Sequence, residues 1–259
     1  MRVDVDGGAV DADVVGAGPR VVLLRGLARD RRYWGDFPQR LGERAEVMTL
    51  DTPGFGGSTP LPGRPRMADY AARVAAALRT AGWTRTAVFG ISWGGALAQQ
   101  LALDLPELVS HLILGCTTPG GATAVRPARR VIAMLAASIV APRPLAARLS
   151  ARLTVSRGHR ARLAREHAEL MRLAPARAEV RKQLAALRAF DATPRLSSLD
   201  VPTLVVTGTA DVLIPPANSD QLARLIPHAR LVRLPDLGHD FIAEEPARVV
   251  ELVASFLEP

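Results

Sequence analysis

Short apolar runs alternate with longer segments of helical periodicity along most of this chain of 259 residues. The runs have the length of buried strands, and the longer segments space their apolar residues as amphipathic helices do. We expect strands over Val10–Val15, Val21–Leu24, Val47–Leu50, Ala87–Phe89, Leu112–Gly115, Thr203–Thr207 and Ala229–Arg233. We expect helices over Trp34–Leu41, Ala68–Ala81, Gly94–Leu105, Ser219–Leu225 and Pro246–Leu257. The alternation predicts an α/β protein with a mostly parallel central sheet covered by helices on both faces.

The start of the chain predicts a different strand pairing. Two strand-like runs flank Gly7 and Gly8, and runs joined by such a turn pair antiparallel. We therefore expect an antiparallel edge on the otherwise parallel sheet.

The alternation stops between Thr118 and Leu199, where Ala, Arg and Leu dominate and no strand pattern is present. Breaks at Pro119-Gly120-Gly121, Pro142, Pro144, Gly158 and Pro175 divide this stretch into three or four helical pieces. We expect residues 1–118 and 200–259 to form the core, with residues 119–199 inserted as a helical cap. The first cap helix, about Ala128–Ala141, is apolar nearly all round, which predicts burial on both sides.

Composition narrows the class of protein. The hydrophobic fraction of 48% is ample for a core and argues against disorder. No signal peptide is expected, because the first ten residues include acidic side chains and two glycines. The longest apolar run, Val131–Ala141, is too short to span a bilayer. The single cysteine, Cys116, excludes an intramolecular disulfide and is typical of a reducing compartment. We expect a soluble cytoplasmic protein, either a monomer or a homodimer.

The basic charge belongs to one segment. The chain carries a net charge of +8, but residues 126–195 hold fifteen arginines and Lys182 against four acidic residues. Their arginines are expected to form a solvated helix face, with attraction of an anionic or carrier-bound substrate as the alternative. No nucleic-acid recognition motif or aromatic stacking surface accompanies them, and Lys182 is the only lysine. We expect no nucleic-acid partner.

The most informative motif is Gly90-x-Ser92-x-Gly94, which lies between a strand-like run and a helical segment. A serine hydroxyl becomes an effective nucleophile only beside a base and near donors for the oxyanion. A sharp strand-to-helix turn presents the serine in this way, and the helix N-terminus behind it favours negative charge. Without the flanking strand and helix, a serine between glycines is usually only a turn residue.

Partners for Ser92 are expected beyond later strands, because catalytic groups collect at the carboxyl ends of parallel strands. Asp211 follows Thr203–Thr207, and His239 follows the last strand, in the order Ser, Asp, His. Asp211 can also be a helix N-cap, and Asp236 and Asp240 compete for its role. The remaining histidines are interpreted as structural or solvated; they are His111, His159, His167 and His228.

Two backbone N–H groups are needed for an oxyanion hole. Trp93 follows the nucleophile directly, and Leu27 lies in the loop after Val21–Leu24, so these two residues are the candidates. Cys116 is interpreted as a small buried hydrophobe. The glycine-rich segment 51–58 is interpreted as turn chemistry. No His/Cys/Asp spacing typical of a metal site and no nucleotide-binding glycine motif is present, so no metal or cofactor is expected.

Together these motifs resemble the α/β-hydrolase superfamily over about residues 20–117 and 200–257. The sequence around Ser92 is similar to intracellular polyhydroxyalkanoate depolymerases. The general layout resembles 3-oxoadipate enol-lactonases, bromoperoxidase-type esterases and polyketide methyl esterases. The resemblance implies a triad of Ser92, Asp211 and His239, with Leu27 and Trp93 as oxyanion donors.

One position departs from this family. Most relatives open the oxyanion loop with His-Gly, whereas this chain has Arg25-Gly26. An arginine there either binds a substrate carboxylate or alters the loop geometry. Arg25, Gly26 and Met134 are the candidates for lining the substrate pocket.

The sequence favours a serine hydrolase that cleaves a carboxylic ester, lactone or thioester with a hydrophobic acyl part. Its substrate is expected to be a small molecule, bound without a membrane partner. The alternative is a hydrolase fold recruited for non-hydrolytic chemistry, as a cyclase or lyase, or for ligand binding. Arg25 is the feature that keeps this alternative open.

Overall fold

The computed structural model describes residues 1–170 and 176–258. The strands are β1 (Arg2–Val5), β2 (Gly8–Val15), β3 (Arg20–Leu24), β4 (Glu46–Leu50), β5 (Thr86–Ile91), β6 (Val109–Gly115), β7 (Thr203–Gly208) and β8 (Arg230–Leu234). The helices are α1 (Phe37–Leu41), α2 (Met67–Thr80), α3 (Trp93–Asp104), α4 (Arg129–Val140), α5 (Arg143–Thr154), α6 (Arg160–Leu170), α7 (Arg177–Ala189), α8 (Ala217–Leu225), α9 (Phe241–Glu244) and α10 (Pro246–Leu257).

The strands form one eight-stranded sheet in the order β1-β2-β4-β3-β5-β6-β7-β8. All pairings from β4 to β8 are parallel, while β2 pairs antiparallel with both β1 and β4. The predicted α/β class and its antiparallel edge are therefore confirmed. Because the central strands are parallel, their carboxyl ends share one edge of the sheet, where the loops after β3, β5, β7 and β8 come together.

The sheet is buried on both faces, as its nearly continuous apolar strands require. Every residue of β5 and β7 is buried. One apolar cluster packs α2 and α3 against the sheet, with Leu97 and Tyr70 among its fully buried members. The opposite cluster packs α1 and α10 and contains Phe37 and Phe89. The two clusters hold the strands in one register, so the loops at the carboxyl edge stand on a rigid base.

The predicted helix over Trp34–Leu41 is wrong in its first half. A short 3-10 turn covers Arg31–Trp34, and α1 begins only at Phe37. Gly35 separates the two with a φ of 59°, a backbone conformation that glycine adopts at little cost and that no helix continues through.

Four helices, α4 to α7, are described between β6 and β7, where the sequence predicts three or four. The predicted break at Pro175 lies outside the described residues. The expectation that the first of these helices is buried on both sides is wrong. Val131 is 6% exposed, but Ile132 on the neighbouring face is 46% exposed. Among the described elements the helix packs mainly on α5, and Ile132 on its outer face meets solvent.

Within the described ranges, none of the helices combines the length and the apolar character needed to cross a bilayer.

Because Val131 and Ile132 lie on different faces of α4, we expect substitutions at these two positions to lower the free energy of unfolding by different amounts. Val131→Ala is expected to lower the free energy of unfolding by about 1–2 kcal/mol, because it removes buried methyl groups. Ile132→Ala is expected to change it by less than about 0.5 kcal/mol, because the side chain is half solvated. Urea unfolding of both variants measures the difference. Equal losses would contradict this orientation of α4.

Candidate active site

Ser92 occupies a strained turn between β5 and α3. Its φ of 56° and ψ of −118° lie outside the broad allowed regions for a residue with a Cβ, at a cost of about 1–3 kcal/mol. Hydrogen bonds fix this conformation from both sides. The Ser92 N–H donates to Gly115 O at 2.8 Å, and Ser92 O accepts from Thr117 Oγ1 at 2.6 Å and from Gly95 N at 3.0 Å. The turn is thus imposed by β6 and by the first turn of α3.

The flanking glycines are required because three backbone segments touch at this turn. A Cβ on Gly90 would lie 2.2 Å from Gly94 O, and a Cβ on Gly94 would lie 2.1 Å from Leu24 O. Real side chains never approach a backbone oxygen so closely. The Gly-x-Ser-x-Gly spacing therefore lets α3 start directly against the end of β3.

His239 and Asp211 form a buried hydrogen-bonded pair. His239 Nδ1 lies 2.7 Å from Asp211 Oδ2, and the other carboxylate oxygen accepts from Leu213 N at 2.8 Å and Ile214 N at 2.9 Å. Asp211 follows β7 and His239 follows β8. Since Nδ1 is occupied by the carboxylate, Nε2 is the ring nitrogen left for proton exchange. The carboxylate orients the imidazole while its own position is fixed by the loop.

Asp236 and Asp240, the two alternatives to Asp211 as partner of His239, lie in different surroundings. Asp236 is exposed on a turn with a φ of 62°. Asp240 Oδ1 accepts a hydrogen bond from Arg25 Nη2 at 2.9 Å. Asp211 contacts the imidazole of His239 and also accepts from the loop backbone after β7, whereas the N-cap of α8 is Pro216, so the helix N-cap interpretation is wrong.

Arg25 is a buried residue that links two loops at the carboxyl edge. Its side chain is 6% exposed, its guanidinium lies 5.0 Å from the centre of the Trp34 ring, and it pairs with Asp240. Asp240 directly follows His239, so the pair connects the loop after β3 to the loop that carries the imidazole. Of the two alternatives for Arg25, this placement favours loop geometry over recognition of a substrate carboxylate, because the guanidinium is already neutralised.

The loop after β3 passes directly over the serine. A Cβ on Gly26 would lie 3.3 Å from Ser92 Cβ and 3.7 Å from Ser92 Oγ, so only a glycine leaves free space beside the hydroxyl. Leu27 follows in a half-buried position, and the Trp93 N–H begins α3. Donation of these two N–H groups to an oxyanion stays a prediction, as does the place of Met134, which is half-buried on α4.

Gln183 was missed by sequence reasoning, although it joins three parts of the site. Its side chain is fully buried; Oε1 accepts from Ala28 N at 2.9 Å, and Nε2 donates to Thr52 Oγ1 at 3.1 Å. Its backbone oxygen accepts from Trp93 Nε1 at 3.0 Å. A glutamine in the middle of an Arg- and Ala-rich helix has no local signal of this role. Only the packing of α7 on the loops after β3 and β4 reveals it.

Cys116 lies next to the Asp211–His239 pair, with ligand atoms of all three residues within 4.8 Å of one another. Burial raises the pKa of its thiol well above the usual range, and the charge of Asp211 raises it further. His239 Nδ1 and Asp211 Oδ2 are already engaged with each other through a hydrogen bond of 2.7 Å. A protonated thiol beside such a pair is a poor metal ligand, so this cluster fits a hydrogen-bonded pair packed on a neutral cysteine.

The other histidines lie in varied surroundings. His111 packs edge-to-face on Phe256 with ring centres 5.5 Å apart, and burial lowers its pKa. His228 occupies a turn with a φ of 57°. His159 approaches Glu244, a contact treated below. The side chain of His167 lies outside the part of the chain that the structure describes.

A sequence model described as the alpha/beta hydrolase fold matches residues 19–246. The chain belongs to this family. The resemblance predicted from the motifs is thereby confirmed, together with the fold and the general class of enzyme, a hydrolase of this type.

Similar proteins of known sequence include a large synthase and a small hydrolase. The chain is 38% identical over 255 residues to Polyketide synthase ThaQ of Burkholderia thailandensis, covering 94% of this chain but only 12% of that protein. It is 32% identical over 241 residues to a Poly(3-hydroxyalkanoate) depolymerase of Ectopseudomonas oleovorans, covering 92% of this chain and 84% of that protein.

Solved structures share the whole architecture. A hydrolase from Pseudomonas aeruginosa has a TM-score of 0.84 at 25% identity, covering 99% of this chain and 97% of that chain. The enol-lactonase from Burkholderia xenovorans also has a TM-score of 0.84, at 22% identity and with 99% of both chains covered. The similarity extends through α4 to α7, because the matched share of this chain leaves almost nothing out.

The Arg25–Asp240 pair predicts a coupled effect on stability. Arg25→Met is expected to lower the free energy of unfolding by about 3 kcal/mol, because Asp240 loses its guanidinium partner in a mostly buried place. The double variant with Asp240→Asn is expected to lose less than the two single losses together. Urea unfolding of the four proteins measures the coupling. Additive losses would contradict a direct pair.

The surroundings of Cys116 predict a thiol that does not react in the folded protein. A disulfide reagent such as dithiobis-nitrobenzoate at pH 8 is expected to modify less than about a tenth of the protein before unfolding, because a buried, protonated thiol is a poor nucleophile. Modification is expected to become complete in denaturant. Rapid reaction of the native protein would show that the cysteine is accessible.

Proposed function

We propose that this chain is a serine hydrolase that cleaves a carboxylic ester, lactone or thioester with a hydrophobic acyl part. The observation that carries the proposal is the buried hydrogen bond of 2.7 Å between His239 Nδ1 and Asp211 Oδ2, at the same sheet edge as the strained Ser92 turn. This combination provides a nucleophile, an oriented base and a fixed carboxylate. The role of each residue below follows from that arrangement.

In the first step, Ser92 Oγ attacks the carbonyl carbon of the substrate while His239 Nε2 takes the hydroxyl proton. The carbonyl electron pair moves to oxygen, and the backbone N–H groups of Leu27 and Trp93 donate to it. When the tetrahedral intermediate collapses, the bond to the leaving alcohol or thiol breaks and His239 returns the proton to it. Asp211 stabilises the imidazolium form without taking the proton.

In the second step, water attacks the acyl-enzyme and gives its proton to His239. The tetrahedral intermediate then releases the carboxylic acid, and Ser92 recovers its proton from the imidazolium. The net reaction adds one water across the ester, lactone or thioester bond. The burial of His239 and Asp211 strengthens their electrostatic interaction, since little water screens it.

Similarity to other proteins supports the bond type. One relative is described as a poly(3-hydroxyalkanoate) depolymerase, and another is a polyketide synthase of which this chain matches a small part. A poly(3-hydroxyalkanoate) is a polyester, so the first of these names supports cleavage of an ester bond. We propose that residues 119–199 act as the cap over the acyl group, with Met134 of α4 among the pocket residues.

The alternative hypothesis, a hydrolase fold recruited for non-hydrolytic chemistry, was based on the presence of Arg25 where most relatives have histidine. Because Arg25 is paired with Asp240, its presence changes how the loop is held rather than removing a catalytic group. No described contact favours a cyclase or lyase over a hydrolase. A small-molecule substrate, a monomer or homodimer, and a cytoplasmic location stay predictions.

Ser92→Ala tests the proposal. Hydrolysis of p-nitrophenyl esters of increasing acyl length is expected to fall at least about 1,000-fold, because the nucleophile is absent. Labelling by a fluorophosphonate probe is expected to disappear. Ser198→Ala, at an exposed serine, is the matched control and is expected to keep both. Ester hydrolysis that survives in the Ser92→Ala protein would overturn the mechanism.

A further inference from the structure

Glu244, at the end of α9, is a fully buried carboxylate outside the proposed triad. Gly238 N donates to both of its oxygens, at 3.1 and 3.2 Å, and Ser156 N donates to Oε1 at 3.0 Å. His159 Nδ1 lies 3.2 Å from Oε2. An ionised carboxylate is costly to bury unless such donors surround it. Here the donors come from two separate parts of the chain.

The first part is the loop that carries His239, because Gly238 immediately precedes the imidazole. The second is the junction between α5 and α6, which contains Ser156 and His159. The junction also meets the loop directly, since Asp240 N donates to Thr154 O at 2.8 Å. The backbone N–H groups on either side of His239 therefore both donate hydrogen bonds in this contact. Gly238 N donates to the Glu244 carboxylate, and Asp240 N donates to Thr154 O.

The packing around Gly238 leaves no room for a side chain at that position. A Cβ on Gly238 would lie 2.8 Å from Glu244 Oε1 and 2.8 Å from Ser156 N. Arg162 of α6 adds hydrogen bonds to Ala243 O at 3.0 Å and Glu244 O at 2.7 Å. The carboxylate thus lies at the centre of a close contact between α9, the His239 loop and the inserted helices.

We propose that Glu244 is a positioning residue for His239, and that it fixes the imidazole by anchoring its loop to the α5–α6 junction. Asp211 sets the orientation of the ring through Nδ1, and Glu244 sets the position of the backbone from which the ring extends. A displacement of about 1 Å at a catalytic group is enough to cost up to about 100-fold in rate. The inserted helices consequently influence the base as well as the acyl pocket.

This inference rests on the proposed function, so its test uses a readout that separates the two. The second-order rate of labelling by a fluorophosphonate probe reports how well His239 activates Ser92, whatever the natural substrate is. Steady-state kcat and KM for p-nitrophenyl butyrate are measured beside it. Circular dichroism confirms that each variant is folded at the assay temperature.

Glu244→Ala is expected to slow labelling about 10- to 100-fold and to lower kcat similarly, with KM within about threefold of the unchanged protein. Glu244→Gln is expected to stay within about fivefold, because its amide oxygen still accepts from Gly238 N and Ser156 N. Glu245→Gln, at the neighbouring exposed pair with Arg248, is the matched control and is expected to match the unchanged protein.

The shared anchor is tested by His159→Ala, which removes the imidazole contact to Glu244 and leaves the Ser156 N–H contact in place. It is expected to slow labelling in the unchanged background and to add nothing in the Glu244→Ala background, because both changes act through one carboxylate. A folded Glu244→Ala protein that is labelled at the unchanged rate would overturn the positioning role. Additive slowing would overturn the shared anchor, and an unlabelled parent protein would instead overturn the proposed function.

Discussion

The strained backbone of Ser92 is the constraint on which the rest of the site depends. A residue with a Cβ keeps such φ and ψ values only where its neighbours over-determine them. Here Gly115 and Thr117, at the end of β6, bind its N–H and its carbonyl, while Gly94 packs against Leu24 at the end of β3. Each of these contacts requires parallel strands in one register. The buried sheet therefore stabilises a local conformation that an isolated strand and helix would not adopt.

Charged side chains at the carboxyl edge of the sheet are buried and paired, whereas those of the helices between β6 and β7 are mostly exposed. Buried charged groups of the core edge each have a specific partner: Arg25 with Asp240, Asp211 with His239, and Glu244 with backbone N–H groups. Since a low-dielectric surrounding magnifies both attraction and the cost of an unpaired charge, such pairs hold loops in place with high specificity. The basic excess of residues 126–195 lies largely on exposed positions of the inserted helices, where solvent screens it.

The inserted helices contact the site through its loops. On α7, Gln183 holds the loop after β3 and the Trp93 side chain. At the α5–α6 junction, Thr154 and Ser156 hold the loop after β8. The loop after β3 and the loop after β8 are thus both hydrogen-bonded to the helices between β6 and β7. A change in the position of these helices would therefore be transmitted to the loops on both sides of Ser92.

The sequence was enough to predict the α/β alternation, the antiparallel edge, the helices between β6 and β7, and the motifs that contain Ser92, Asp211 and His239. These follow from short-range patterns: apolar period, glycine spacing and the position of polar groups after strands. The preference for Asp211 over Asp240 as the partner of His239 likewise rested on strand order, and the structure places Asp211 Oδ2 2.7 Å from His239 Nδ1. Tertiary structure alone decided that Ile132 faces solvent, that Arg25 pairs with Asp240, and that Gln183 and Glu244 bind loops far away in sequence. A single glutamine or glutamate carries no local signal of its partner, because that partner is chosen by how helices pack on the sheet edge.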